Sequence, residues 1–236
     1  MNPEDLRKYL EFYQDLGIKE VYRRAASAGT TQGSPAPVEL PGLAPHGDTL
    51  LKILEDIGDC RRCRLHEGRN KLVFGVGNEQ AKLVFVGEGP GADEDEQGIP
   101  FVGRAGQLLT QMIENTAQRE GIPLKRADVY ICNVVKCRPP GNRTPETDEM
   151  QTCGEFLFRQ LEVIRPKAIC ALGGTASRAL LGRGEGVTKL RGNWHKWRDI
   201  PVMVTYHPSY LLRPYNQNAK RDAWEDLKKV LHFVYD

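Results

Sequence analysis

The residues Gly87-Glu88-Gly89-Pro90-Gly91-Ala92-Asp93-Glu94-Asp95-Glu96 follow directly on the apolar run 83–86. Gly87, Gly89 and Ala92 have the spacing of a dinucleotide fingerprint. The four acidic residues from Asp93 onward would, however, repel the pyrophosphate such a turn must hold at a helix N-terminus. A glycine turn with bare backbone N–H groups and nearby carboxylates suits a neutral heterocycle and a water molecule better. A second segment, Tyr206-His207-Pro208-Ser209-Tyr210-Leu211-Leu212-Arg213, follows the apolar run 202–205. A histidine at the carboxyl end of a strand, stiffened by the next proline, suits stabilisation of developing negative charge. The Leu-Leu-Arg behind it has the character of a wedge for a base stack.

Six cysteines divide into two groups. Cys60 and Cys63 form a C-x2-C, and Cys137 and Cys153 a C-x15-C. Four thiols at such spacings are metal-ligand grade, and the spacing leaves zinc and a four-iron cluster equally open. Cys132 and Cys170 lie inside apolar runs and read as small buried hydrophobes. Arg61, Arg62, Arg64, Arg69 and Lys71 flank the first thiol pair, while Lys136, Arg138 and Arg143 surround Cys137. A shared metal would gather these cations into a surface for phosphates. His66, His195 and His232 have no comparable setting.

These groups need a scaffold. The chain has 236 residues, 40% hydrophobic and 27% charged, which suffices for one main domain. A formal charge of +2 is too mild to announce a nucleic-acid binder by itself. No segment approaches the roughly 20 apolar residues of a membrane span, and the charged N-terminus excludes a signal peptide. A cytoplasmic monomer with no membrane partner is expected, with thiols rather than disulfides. Residues 1–28 read as an amphipathic helix, with Leu6, Tyr9, Leu10, Tyr13 and Leu16 on one face. Residues 29–47, with four Pro and four Gly, read as a linker, and 48–236 as the functional domain.

In that domain the apolar runs 83–86, 129–135, 168–172 and 202–205 are continuous rather than alternating, as in parallel strands covered on both faces. Helices fill the gaps. One is capped by Asp48, one carries Leu108, Leu109 and Ile113, and one begins with Thr144 as N-cap and Pro145 at its first position. Two more begin near Thr175 and at Asn218. The expectation is an α/β fold, three layers α/β/α, with ligands at the carboxyl ends of the strands.

Taken in order, GEGPGADEDEQGIPFVGRAGQLL, VYICNVVKCRPPGNRTP, HPSYLLR and the four cysteines resemble the family 4, iron-sulfur uracil-DNA glycosylases. The likeness spans nearly all of residues 48–235. It implies a four-stranded parallel sheet, a [4Fe-4S] cluster on Cys60, Cys63, Cys137 and Cys153, and no metal in the chemistry. By the same resemblance, Phe101 stacks on uracil flipped out of single- or double-stranded DNA, and Asn133 reads its edge. Gly89, Gly91 and Glu94 wall its C5 side. His207 bonds O2, and Glu88 positions the water. Lys136, Arg138, Ser209, Leu211, Leu212 and Arg213 are the expected DNA contacts, with base removal and no strand cleavage. The segment between Cys137 and Cys153 contains no histidine, so covalent trapping of DNA is not expected. The alternatives are a metal-stabilised nucleic-acid-binding module without catalysis and an iron-sulfur electron carrier.

Overall fold

The computed structural model describes residues 47–213 and 216–236. The expected N-terminal helix, and the linker up to residue 46, lie outside the described residues. The described residues all belong to one compact unit, Glu39–Asp236.

Four strands run parallel through the centre: β2 (Leu83–Gly87), β3 (Tyr130–Asn133), β4 (Ala168–Leu172) and β6 (Ile200–Thr205). Their order is β3-β2-β4-β6. The sheet has six strands rather than the expected four, because β1 (Val76–Gly77) and β5 (Trp194–Trp197) pair antiparallel at the two edges. Neither edge strand has a continuous apolar run. The first is two residues long and exposed on both, and the second is Trp-His-Lys-Trp with only Trp197 buried.

The central runs are apolar throughout because successive side chains enter opposite layers. Val84, Val86, Cys132, Ile169 and Val204 pack with Ile53 of α1 (Leu50–Ile57), Phe156 and Leu161 of α4 (Thr147–Ile164), and Leu180 of α5 (Gly174–Leu181). Leu83, Phe85, Ile131, Cys170 and Met203 face the other way. They meet Leu109 and Ile113 of α3 (Arg104–Arg119) and Leu227, Val230 and Leu231 of α8 (Gln217–Tyr235). Three short helices complete the unit: α2 (Ala92–Gln97), α6 (Val187–Leu190) and α7 (Pro208–Leu211).

Two helix starts differ from expectation. Thr49 rather than Asp48 caps α1, its hydroxyl accepting from the Lys52 N–H at 3.1 Å, while Asp48 pairs with Arg159. Thr144 and Pro145 lie ahead of α4, whose N-cap is Glu146. The Glu146 N–H donates to Glu149 at 2.7 Å, and Arg143 and Arg64 hold the same carboxylate well below the usual range, at about 2. That bonding fixes the start two residues later than the Thr-Pro signal suggests.

The carboxyl ends of the four parallel strands, at Gly87, Asn133, Leu172 and Thr205, open on one edge of the sheet. The last end is anchored from below. The Thr205 hydroxyl donates to Asp226 of α8 at 2.8 Å, and Asp226, fully buried, pairs with Arg191 at 2.6 Å. Removing the carboxylate strands a half-buried guanidinium and frees the strand end that precedes His207. We expect Asp226→Ala to cost about 3–5 kcal/mol in chemical denaturation. A loss below about 1 kcal/mol would show that this pair does not anchor β6.

Candidate active site

A cavity of about 440 Å³ lies at those strand ends and is built from all four crossings. The turn after β2 brings Glu88, Gly89, Gly91 and Glu94, and the loop between α2 and α3 brings Phe101. Asn133 comes from β3, Leu172 and Gly173 from the end of β4, and His207 and Ser209 from the segment after β6. Of the residues expected to handle base and water, all seven line this one hollow.

Phe101 is held in an uncommon conformation, with φ at 54°, and its ring is buried. Two glycines make that possible. A Cβ on Gly106 would overlap the Phe101 backbone, and a Cβ on Gly87 would overlap both the Phe101 ring and the Asn133 amide. Glu94 locks the surrounding loops: its carboxylate accepts from the N–H groups of Gly91 at 3.0 Å, Val102 at 3.0 Å and Gly103 at 3.1 Å. Asp95 is buried and accepts from Asn70. Half of the acidic run therefore points inward as loop ties, while Asp93 and Glu96 are exposed, Asp93 at the wall of the cavity.

Asn133 is 2% exposed, and its Oδ1 is buried with no hydrogen-bond partner among the described residues. A bare acceptor of that kind costs free energy unless something completes it. His207 lies 5.6 Å from Phe101, ring centre to ring centre. Burial lowers its pKa to about 4, against a smaller opposing pull from Glu94, so the ring is neutral at pH 7. The Ser209 N–H donates to Nδ1 at 3.2 Å, which makes Nδ1 an acceptor and leaves the proton of the neutral ring on Nε2. Glu88 accepts a short hydrogen bond from the hydroxyl of Thr175, in the first turn of α5. Sequence reasoning missed Thr175, although its place just past a strand end was a usable signal.

The expected DNA contacts divide. Ser209 and Arg213 are exposed, and Leu212 and Arg138 half-buried. Leu211 is 1% exposed and packs on Ala219 and Ala223 of α8, so it anchors α7 and cannot wedge into DNA. Its burial turns the neighbouring Tyr210 outward, stacked on Tyr206 at 5.3 Å. Lys136 is fully buried, with its ammonium donating to the Asn133 carbonyl and to Gln160, and cannot reach a phosphate. Much of the expected cationic surface is paired. Arg61, Arg62, Arg64, Arg69 and Arg143 each face a carboxylate.

Cys60, Cys63, Cys137 and Cys153 line one small cavity together with Ile57, Leu72 and Phe156. Two donors point at the sulfurs: the Lys136 N–H to Cys153 at 3.2 Å and Arg69 to Cys137 at 3.3 Å. Burial pushes the thiols of Cys63 and Cys137 up, and that of Cys153 to about 12. Thiolates in this place therefore require positive charge beside them. Among the described residues, no three His, Cys, Asp or Glu side chains converge as a single metal ion's ligands do.

A family model, the uracil DNA glycosylase superfamily, matches residues 74–228. The chain is 46% identical over 190 residues to the type-4 uracil-DNA glycosylase of Thermotoga maritima, covering 79% of this chain and 96% of that protein. It is 44% identical to the type-4 enzyme of Sulfurisphaera tokodaii, covering 78% and 84%. Similarity to the type-5 uracil-DNA glycosylase of Pyrobaculum aerophilum is lower, at 32% over 66% and 71%.

Two outcomes test this geometry. Gly87→Ala should leave a folded protein that has lost most of its ability to bind a ligand in the cavity, because the methyl must displace Phe101 or Asn133; unchanged binding would refute the contact. For His207, the folded-state value lies below the unfolded value of about 6.5. Its contribution to stability is therefore present above that pH and lost as pH falls toward about 4. NMR titration of the imidazole should find no protonation between about pH 6 and 8. A midpoint inside that range would contradict the burial argument.

Proposed function

The chain belongs to the uracil DNA glycosylase superfamily, and from that membership we propose that it hydrolyses the N-glycosidic bond of uracil in DNA, leaving an abasic site. The observation that carries the reading is the partnerless Asn133 Oδ1 inside a cavity walled by Phe101 and His207. Uracil presents an N3–H donor beside an O4 acceptor. An asparagine amide completes both, with Oδ1 accepting from N3–H and Nδ2 donating to O4. Cytosine inverts that pattern and would leave the buried acceptor unpaired.

The reaction follows from the same groups. The nucleotide must leave the helix, at a cost of a few kcal/mol that is least in a mispair or a single strand. Phe101 stacks on the extruded base, while Glu94 fixes the Gly91 and Gly103 backbone that crowds its C5 edge. The bond from C1′ to N1 breaks with its electron pair passing to the base. The sugar becomes oxocarbenium-like, and the uracil anion gathers charge at O2. A neutral imidazole donating from Nε2 stabilises that anion without carrying a competing proton. Water held by Glu88 then adds its oxygen to C1′ and passes a proton to the Glu88 carboxylate, which releases it through solvent to the departed uracil anion, and the Thr175 hydroxyl fixes the carboxylate that holds the water. Lys136 is enclosed and occupied, and among the described residues no lysine lines the cavity, so the proposed product is an abasic site and not a nicked strand. Ser209, Leu212, Arg213 and Arg138 are the proposed DNA contacts.

The four thiols are proposed to hold a [4Fe-4S] cluster. What supports it is their convergence on one apolar cavity with N–H donors aimed at two of the sulfurs. A bound cluster would supply the positive charge that buried thiolates need and would tie the segment 60–63 to β3 and α4. It has no part in bond cleavage.

A single-uracil oligonucleotide incubated with the protein and then treated with alkali should break at the uracil. A gel shift without breakage would indicate a binding module instead, and neither result an electron carrier. Phe101→Ala and His207→Ala should each lower single-turnover release by roughly 10²-fold, and Asn133→Asp should narrow the preference for uracil over cytosine. The isolated protein should carry iron and acid-labile sulfide in equal amounts, lost in Cys137→Ser.

A further inference from the structure

Lys136 is fully buried, and nothing in the proposed reaction uses it. Among the described residues it has no carboxylate in ion-pair range. Its ammonium donates to the Asn133 carbonyl at 2.9 Å and to Gln160 Oε1 at 2.6 Å. The side chain is taken out of water, and both acceptors of its ammonium are neutral. Such a residue is costly to keep, and leucine or methionine would fill the space at less cost.

Its connections suggest why it is there. Residues 133–137 leave β3, and the Val134 and Val135 N–H groups bond Gly87 at 3.0 Å and Glu88 at 3.2 Å, across the cavity floor. The Lys136 side chain then turns back onto the carbonyl three residues earlier, at the end of the strand. Gln160 of α4 completes the clasp: its Nε2 donates to the Tyr130 hydroxyl at 3.2 Å and to the Phe74 carbonyl at 3.1 Å. Tyr130 and Asn133 are the first and last residues of β3. Lys136 and Gln160 therefore hold both ends of the strand that carries the base-reading amide. Lys136 itself does not line the cavity.

We propose that Lys136 is a positioning residue, clamping the Asn133 backbone so that its unpartnered Oδ1 faces uracil. The proposal rests on the assignment of uracil as substrate and deepens it. A clamp of this kind has a signature that general structural support lacks: its effect passes through one side chain and vanishes when that side chain is removed.

The test is a double-mutant cycle in the full-length protein, read as single-turnover uracil release from a uracil-containing oligonucleotide. Lys136→Met should lower release about tenfold in the wild-type background, an interaction of the size usual for coupled neighbours, and less than about twofold when Asn133 is already alanine. Equal losses in both backgrounds would overturn the proposal, as would a Lys136→Met protein that releases uracil at the wild-type rate. Should Lys136→Met fail to fold, Gln160→Leu frees the other end of the same clasp, and its cycle with Asn133→Ala must give the same coupling. Inhibition by free uracil gives an independent readout: it should weaken in Lys136→Met and not change further on adding Asn133→Ala to that variant beyond the loss seen for Asn133→Ala alone. If the wild-type protein releases no uracil, the function fails, whereas an active wild type with additive losses sinks only the clamp.

Discussion

At the end of β2 there is no room for a side chain, and the pocket depends on that fact. The Phe101 ring and the Asn133 amide both occupy the space a Cβ on Gly87 would take. Glycine here is required by contact, not by backbone angle. Because a loop residue and a strand residue meet over one hydrogen atom, the Phe101 ring and the Asn133 amide are fixed relative to each other. The loop carrying Phe101 accepts a left-handed backbone to get there, and Gly106 lets α3 approach closely enough to support it. Close approach and loop strain are thus two sides of one arrangement.

Charge is handled with similar economy. The acidic run after β2 looks, as a string of letters, like a solvated cap. In the fold, Glu94 spends its carboxylate on three backbone N–H groups and Asp95 on Asn70, which leaves Glu88 and Asp93 as the other carboxylates of the cavity wall, beside Arg104 and Arg143. The histidine opposite is neutral because it is desolvated. The cations near the thiols are mostly tied to Asp and Glu. What remains is a hollow whose wall carries charges of both signs and a neutral imidazole. In the proposed reaction, that imidazole is the donor held ready for the departing anion.

The central sheet was legible because burial on both faces leaves a plain mark, four runs of apolar residues, with glycine and histidine just past two of them and asparagine inside a third. The edge strands were not, since β1 is only two residues and β5, Trp-His-Lys-Trp, has no apolar run. The errors in the site share one cause. Leu211 and Lys136 suggest DNA contacts by residue type, and type says nothing about direction. On a one-turn helix the choice between burying Leu211 and Tyr210 is settled by what α8 offers beneath it, namely Ala219 and Ala223. Lys136 lies beside basic residues in the chain, but its side chain follows the strand inward. Thr175 stood just past a strand end, but its hydroxyl gains meaning only from the Glu88 carboxylate it meets in the fold.

The segment from Asn133 to Cys137 joins what otherwise look like separate devices. Its first residue lines the pocket, its next two bond the Gly87 and Glu88 carbonyls, and its last is one of four thiols around a second cavity. Five residues span at most about 18 Å even when fully extended, and here the chain turns back on itself. Movement at the thiols is therefore transmitted to the amide unless something in between resists it. The buried clasp of Lys136 and Gln160 sits at that point, bonded to the strand and packed beside Cys153, whose sulfur accepts the Lys136 N–H. A site held this way needs the thiol segment to stay still, and that is a mechanical requirement the packing of β3 against α4 meets in part through Leu157 and Leu161.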